Sequence, residues 1–135
     1  MRKMAKRVFV SRNIPEKGLS QIRDRFSIEV WPGEMPPGRE VFLEKAAVCD
    51  GLVVIPGDPV DKGVLEAGKS LKIVSCYAVG YDTIDVKAAT DLGIMITNTP
   101  DVLTETTADL AFGLLIAAAR RIAEGDRFVR AGKWK

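Results

Sequence analysis

The sequence predicts an α/β fold: a doubly wound parallel sheet of five strands in the order 2-1-3-4-5, with a long apolar helix at its C-terminal end. Three observations carry that expectation. Short apolar runs alternate with helical patterns along all 135 residues. One of those runs, Gly51 to Ile55 (GLVVI), is apolar without a break, as in a strand buried on both faces. Right-handed crossovers between successive β-α units then favour that strand order.

The elements follow in order. Arg7 to Ser11 (RVFVS) reads as the first strand. Ile14 to Phe26 reads as a helix, with Pro15 near its start and Leu19, Ile22 and Phe26 at helical spacing. Ser27 to Trp31 (SIEVW) is the second strand, its apolar side chains alternating at Ile28 and Val30. Residues 32–38 (PGEMPPG) break the pattern and form a surface loop. A second helix runs from about Arg39 to Ala47, and Gly51 to Ile55 is the third strand.

Asp61 is placed to cap a short helix ending near Ala67, and Leu71 to Cys76 is the fourth strand. Asp85 is placed to cap Val86 to Leu92, and Gly93 suits a left-handed stop after it. Ile94 to Thr97 is the fifth strand. Thr104 is placed to cap the last helix, with Glu105 against its N-terminal dipole. The whole is a flavodoxin-like arrangement with no fixed-period repeat.

Composition narrows the function. Hydrophobic residues make up 47% and charged residues 28%, ordinary for a globular chain, and a net charge of +2 argues for neither nucleic acid nor a membrane surface. The six basic side chains of residues 120–135 fit cations near a helix end better than an anionic partner. The basic N-terminus, MRKMAKRV, is followed by too short an apolar stretch for a signal peptide. Cys49 and Cys76 are isolated from one another and form no metal-binding pair, so buried thiols in a cytoplasmic setting are expected. Histidine is absent, so no imidazole can donate a proton or bind a metal, and no metal site is expected.

The last helix is apolar on every side from Leu110 to Ala119, apart from the small Gly113. Such a helix must be covered all round. One face suits the sheet, and the other calls for a second domain, a second subunit or both, the alternative being that Gly113 and the alanines allow close packing under a loop.

Ligands in open α/β sheets bind at the carboxyl ends of the strands. The first strand ends in Ser11-Arg12-Asn13, with neither an acidic pair nor a phosphate loop, and the third ends in the turn Pro56-Gly57-Asp58-Pro59. The fourth ends in Tyr77-Ala78-Val79-Gly80-Tyr81-Asp82, where a glycine lets a ligand approach the backbone and successive N–H groups form a concavity suited to a carboxylate. On spacing alone, Gly80 and Asp82 fit a folding role equally well, and Asp85 fits a cap better than a metal ligand. No G-x-G-x-x-G, Walker A or H-E-x-x-H motif occurs. The residues describe a binding lobe rather than a complete catalyst, and no catalytic residue is assigned.

Two segments carry a resemblance. Residues 77–85 (YAVGYDTID) together with residues 97–109 (TNTPDVLTETTAD) closely resemble the D-isomer-specific 2-hydroxyacid dehydrogenases, most of all the glyoxylate and hydroxypyruvate reductases. The resemblance runs from Val8 to Trp134 and implies the N-terminal part of the substrate-binding domain. It implies that Val79 and Gly80 give backbone N–H groups to the substrate carboxylate, that Tyr77 and Leu103 line the cleft, and that Thr104 lies near the cofactor.

It further implies a lobe over residues 1–104 and an interdomain, dimerising helix and arm over residues 105–135. NAD or NADP would serve the complete enzyme, with no tight binding to this chain alone. The partners implied are a small 2-oxo or 2-hydroxy acid, the nucleotide-binding domain and a second copy of the chain. The family's nucleotide loop and its catalytic arginine, glutamate and histidine have no counterpart here. The chain by itself is therefore expected to be inactive. The competing expectation is a stand-alone dimerising α/β module without a cofactor, and a flavodoxin or receiver domain comes third.

Overall fold

The computed structural model describes residues 6–135, so Arg2 and Lys3 of the basic N-terminus lie outside it. The chain forms two compact units, one ending at Pro100 and the other running from Asp101 to Lys135.

The first unit contains β1 (Arg7–Val10), α1 (Glu16–Arg23), β2 (Ser27–Val30), α2 (Arg39–Val48), β3 (Gly51–Val54), α3 (Lys62–Ala67), β4 (Ile73–Cys76), α4 (Val86–Asp91) and β5 (Met95–Thr97). The five strands form one sheet in the order β2-β1-β3-β4-β5, and every pairing is parallel. The strand order read from the sequence is the observed one.

Most elements are shorter than their sequence patterns, for local reasons, while α2 runs one residue past Ala47 to Val48. Pro15, which has no N–H to give, stands at the N-cap of α1. The same helix ends early because Asp24, Arg25 and Phe26 leave it in a turn, donating to the carbonyls of Ser20 and Ile22. Leu71, expected to open the fourth strand, bonds instead to the Gly68 carbonyl, so pairing starts at Ile73. The two aspartate caps form as expected. Asp61 Oδ1 accepts from the Val64 N–H at 3.0 Å, and Asp85 Oδ1 from the Ala88 N–H at 2.9 Å. Gly93 takes φ +68°, the left-handed stop.

Parallel strands alternate their side chains between two faces. Val54, Val74 and Cys76 point into the main core, where they meet Phe42 and Ala46 of α2, Val64 and Leu65 of α3 and Ala88 and Ala89 of α4. Phe9 and Phe42 pack edge to face, with ring centroids 6.2 Å apart. The opposite face carries Val8, Val53 and Ile73 next to Ile22 and Phe26, around an open apolar groove of about 330 Å³. Because all five strands run the same way, their carboxyl ends share one edge, and the candidate site is built there.

The second unit contains α5 (Thr104–Ala119) and α6 (Ile122–Arg130). Here one expectation is corrected. Thr104 does not cap the long helix: it is the first helical residue, and Leu103, with no side-chain acceptor, stands at the N-cap. The turn before it, with Asp101 at φ +65°, uses up the residues that would have left Thr104 in an extended cap conformation. A further helix, α6, follows a break at Arg121, whose backbone is left-handed at φ +53°. Arg127 and Arg130 lie in the last turn of α6, where cations complement the helix dipole. Among the described residues, no helix is long and apolar enough to cross a membrane.

Candidate functional site

The chain leaves β4 at Cys76 and turns through Tyr77 to Asp82 before entering α4. Both ends of the turn are tied down. The Tyr77 N–H extends the sheet ladder, donating to the Val54 carbonyl at 2.8 Å. At the other end, Val60 and Ile84 form a parallel bridge: the Val60 N–H donates to the Thr83 carbonyl at 3.1 Å and the Asp85 N–H to the Val60 carbonyl at 3.0 Å.

The middle of the turn is held by its carbonyls. The Thr99 N–H donates to the Ala78 carbonyl at 2.8 Å, the Asn98 side-chain amide to the Val79 carbonyl at 2.8 Å, and the Cys76 thiol to the Gly80 carbonyl at 3.3 Å. Three successive acceptors are thereby satisfied inside the protein. The Val79 and Gly80 N–H groups, by contrast, have no acceptor among the described residues. A turn with its carbonyls engaged and its amides unengaged presents positive dipole ends, the arrangement that binds a carboxylate or other small anion.

Gly80 is exposed and Val79 half-buried, so these amides are reachable from solvent. Gly80 does not adopt a positive φ; among the glycines only Gly57, Gly93 and Gly132 do. The sharp turn therefore does not require a glycine here. A Cβ added at Gly80 would meet only Asp82 Oδ2, at 3.4 Å, an ordinary contact. What the missing side chain leaves is open space beside the backbone. Tyr77 and Tyr81, each about half exposed, stand on either side. A shallow cavity of about 250 Å³, lined by Tyr81, Val86, Ile96, Thr97 and Asn98, adjoins the turn through Tyr81 and Asn98.

Tyr77, Val79 and Gly80 thus share one turn of the first unit. Leu103 and Thr104 belong to the second unit, at the start of α5, where the Thr106 hydroxyl donates to the Leu103 carbonyl at 3.2 Å. Sequence reasoning missed Asn98 and Cys76 as supports of the turn. For Asn98 the signal lies in the strand order: it directly follows β5, the neighbour of β4, and a polar side chain at a strand's carboxyl end reaches the next loop.

The thiols behave as structural groups. Burial, and then the nearby charge of Asp58, pushes the Cys76 thiol up, with the Ala78 N–H pulling the other way. Burial is likewise the largest cause raising Cys49. Both are buried and unpaired. Among the described residues, no group of three or more potential ligands could hold a metal ion.

A dinucleotide does not fit the turns present here. The switch point of the sheet, between β1 and β3, is where doubly wound folds receive phosphates. In this chain β1 is followed by Ser11-Arg12-Asn13-Ile14-Pro15, which has no glycine to cradle a phosphate, and Arg12 is engaged by the buried Asp58 carboxylate at 3.1 Å.

A family model for the catalytic domain of D-isomer specific 2-hydroxyacid dehydrogenases matches residues 8–125. The chain belongs to this family. It is 58% identical over 132 residues to a glyoxylate reductase of Korarchaeum cryptofilum, a match that covers 98% of this chain and 40% of the relative. The chain therefore spans about two-fifths of the length of the relatives it matches. Among solved structures, a protein of Thermus thermophilus superposes with a TM-score of 0.83 at 42% identity, over 96% of this chain and 42% of that one. The NADPH-dependent glyoxylate/hydroxypyruvate reductase of Sinorhizobium meliloti, solved with NADP and malonate, superposes with a TM-score of 0.72 at 30% identity, over 96% and 39%. The match to the catalytic-domain model takes in the Val79–Gly80 turn, all of α5 and the start of α6.

Proposed function

We propose that the chain is the substrate-binding lobe of an NAD(P)-dependent oxidoreductase that reduces a small 2-oxo acid, glyoxylate or hydroxypyruvate, to the 2-hydroxy acid. The observation that carries this reading is the pair of unengaged amides at Val79 and Gly80, beside three carbonyls already satisfied. Two N–H groups on one turn match the two oxygens of a carboxylate, which every 2-oxo acid carries. Tyr77 and Leu103 line the cleft in this reading, and Thr104 stands beside the cofactor. The lobe spans residues 1–104, with residues 105–135 as the interdomain and dimerising arm.

Hydride transfer is the nicotinamide's chemistry, and this chain's own part is to hold the acid by its carboxylate. With no histidine and no dinucleotide turn, the chain alone does not turn over. The apolar side chains left exposed on α5, Leu110, Phe112, Leu114 and Leu115 among them, support a homodimer. Two free, buried thiols support a cytoplasmic setting.

The test is a binding comparison between glyoxylate and its methyl ester at equal concentration. The acid is expected to bind and the uncharged ester to bind at least about tenfold more weakly, the loss of a charge-assisted contact. Equal binding of the two would reject the carboxylate reading. The second reading, a dimerising module without a cofactor, is favoured by the same exposed face of α5. A self-associating chain that binds neither compound would favour it.

A further inference from the structure

The carboxyl edge of the sheet holds a second polar cluster that the proposed function does not use. Asp58, in the loop between β3 and α3, is fully buried, as is Ser11 at the end of β1. The Ser11 hydroxyl donates to Asp58 Oδ2, and the Ile55 N–H donates to the same oxygen at 2.9 Å. The Arg12 guanidinium lies 3.1 Å from Oδ1 and also donates to the Ser11 carbonyl at 2.7 Å. That approach to Oδ1 is off the hydrogen-bonding direction, so the oxygen is charge-paired without being hydrogen-bonded.

A fully buried carboxyl group is costly even when paired with a cation, and an apolar side chain would cost less. Its value must lie in geometry. Asp58 closes a short turn on Ile55: its carboxylate takes the Ile55 N–H, and its own N–H donates to the Ile55 carbonyl at 3.1 Å. Through Ser11 and Arg12 the same carboxylate fastens that loop to β1. Two residues on, buried Val60 bridges to Thr83 and Asp85. Those bonds set the far end of the turn whose near end is fixed by Tyr77 on Val54. A short path of hydrogen bonds and backbone thus joins the Asp58 carboxylate to the turn that carries the Val79 and Gly80 amides.

We propose that Asp58 is a positioning residue for the Val79–Gly80 anion site: held by Ser11 and Arg12, it locks the 55–60 loop, and through Val60 that loop sets the spacing of the two amides. The proposal rests on the carboxylate reading of that turn. Asp58 touches no ligand; it acts through Val60 and Thr83.

The test uses the 135-residue chain, labelled with ¹⁵N, as wild type, Asp58→Asn, Ser11→Ala and Phe42→Leu. Phe42→Leu is the control for general destabilisation, since Phe42 lies in the core and makes none of these bonds. Oxamate is the probe. Asp58→Asn is expected to bind oxamate about five- to tenfold more weakly, as misplaced binding groups do, and Ser11→Ala about two- to threefold. Phe42→Leu is expected to bind like the wild type.

Before any oxamate is added, the Val79 and Gly80 amide resonances should already move in Asp58→Asn and stay in place in Phe42→Leu. Unchanged amides and affinity in Asp58→Asn would overturn the proposal. If Asp58→Asn does not fold, Ser11→Ala decides by the same two readouts. If the wild type binds no oxamate, the carboxylate reading fails, and the ligand-free amide shifts alone confirm or overturn the positioning link.

Discussion

Asn98 donates its side-chain amide to the carbonyl of Val79 at 2.8 Å, across 19 residues of sequence. This bond joins the end of β5 to the turn after β4 and helps turn the Val79 carbonyl inward. Asn98→Ala removes it and leaves a half-buried carbonyl without its donor, which costs on the order of 1 kcal/mol of stability. Oxamate affinity is expected to fall about threefold or more as the amides lose their alignment. Urea unfolding measures the first effect and amide-resolved titration the second.

Gly80→Ala separates folding from binding. The backbone there is not left-handed, and the new methyl meets only Asp82 Oδ2 at 3.4 Å. Stability is expected to hold or rise by up to about 1 kcal/mol, through a less flexible unfolded chain. Anion binding is expected to fall at least about tenfold, because the methyl fills the space through which a ligand reaches the amides. Thermal unfolding and titration on the same sample check both halves.

Asp82 places an exposed carboxylate beside Gly80. Asp82→Asn removes a like charge near the anion and should tighten oxamate binding about two- to fourfold at low ionic strength. The gain should fade by about 0.5 M salt, because exposed charges are screened. Titrations at two salt concentrations measure it.

Asp61 gives a pH dependence that has nothing to do with the site. The Arg39 side chain, by hydrogen bond first, lowers the Asp61 carboxyl to about 2, and the Val64 N–H adds to the effect. A carboxyl lowered in the folded state stabilises above its unfolded pKa and loses that contribution as pH falls from about 4 to about 2. Both side chains are nearly half exposed, so solvent screening keeps the pair's contribution small. In urea unfolding, Asp61→Asn is expected to fall below the wild type at about pH 6 and to meet it near about pH 2.

Leu114 and Leu115 on α5 are each more than three-fifths exposed. If that face seats a second copy, Leu114→Glu should weaken self-association at least about tenfold, since it buries a charge in an apolar contact. Sedimentation equilibrium on wild type and variant reads the change. Equal association would place the dimer contact elsewhere.

The fold was legible because its signals are local and agree with one another. The uninterrupted GLVVI strand, the aspartates placed ahead of α3 and α4, and Gly93 each specify their element without help from distant residues. The helix starts and ends were less legible where the turn chemistry was less distinctive. Thr104 looked like a cap, but a turn with a left-handed Asp101 moved the cap to Leu103. The break at Arg121 left no sequence signal, since arginine is not a residue that favours positive φ. Within the site, Val79 and Gly80 stood out as a glycine turn at a strand end. Asn98 and Asp58 did not, because their partners lie 19 and 47 residues away and only the sheet order brings each pair together, while Cys76 read simply as a buried thiol.

The decisive measurement is a residue-resolved ¹⁵N titration of the 135-residue chain with glyoxylate. The expected result is saturable movement of the Val79 and Gly80 amide resonances, lost in Gly80→Ala, with no NAD(P)H consumed by the chain alone. Stationary Val79 and Gly80 amides, with the shifts confined to the arginines of α6, would contradict it.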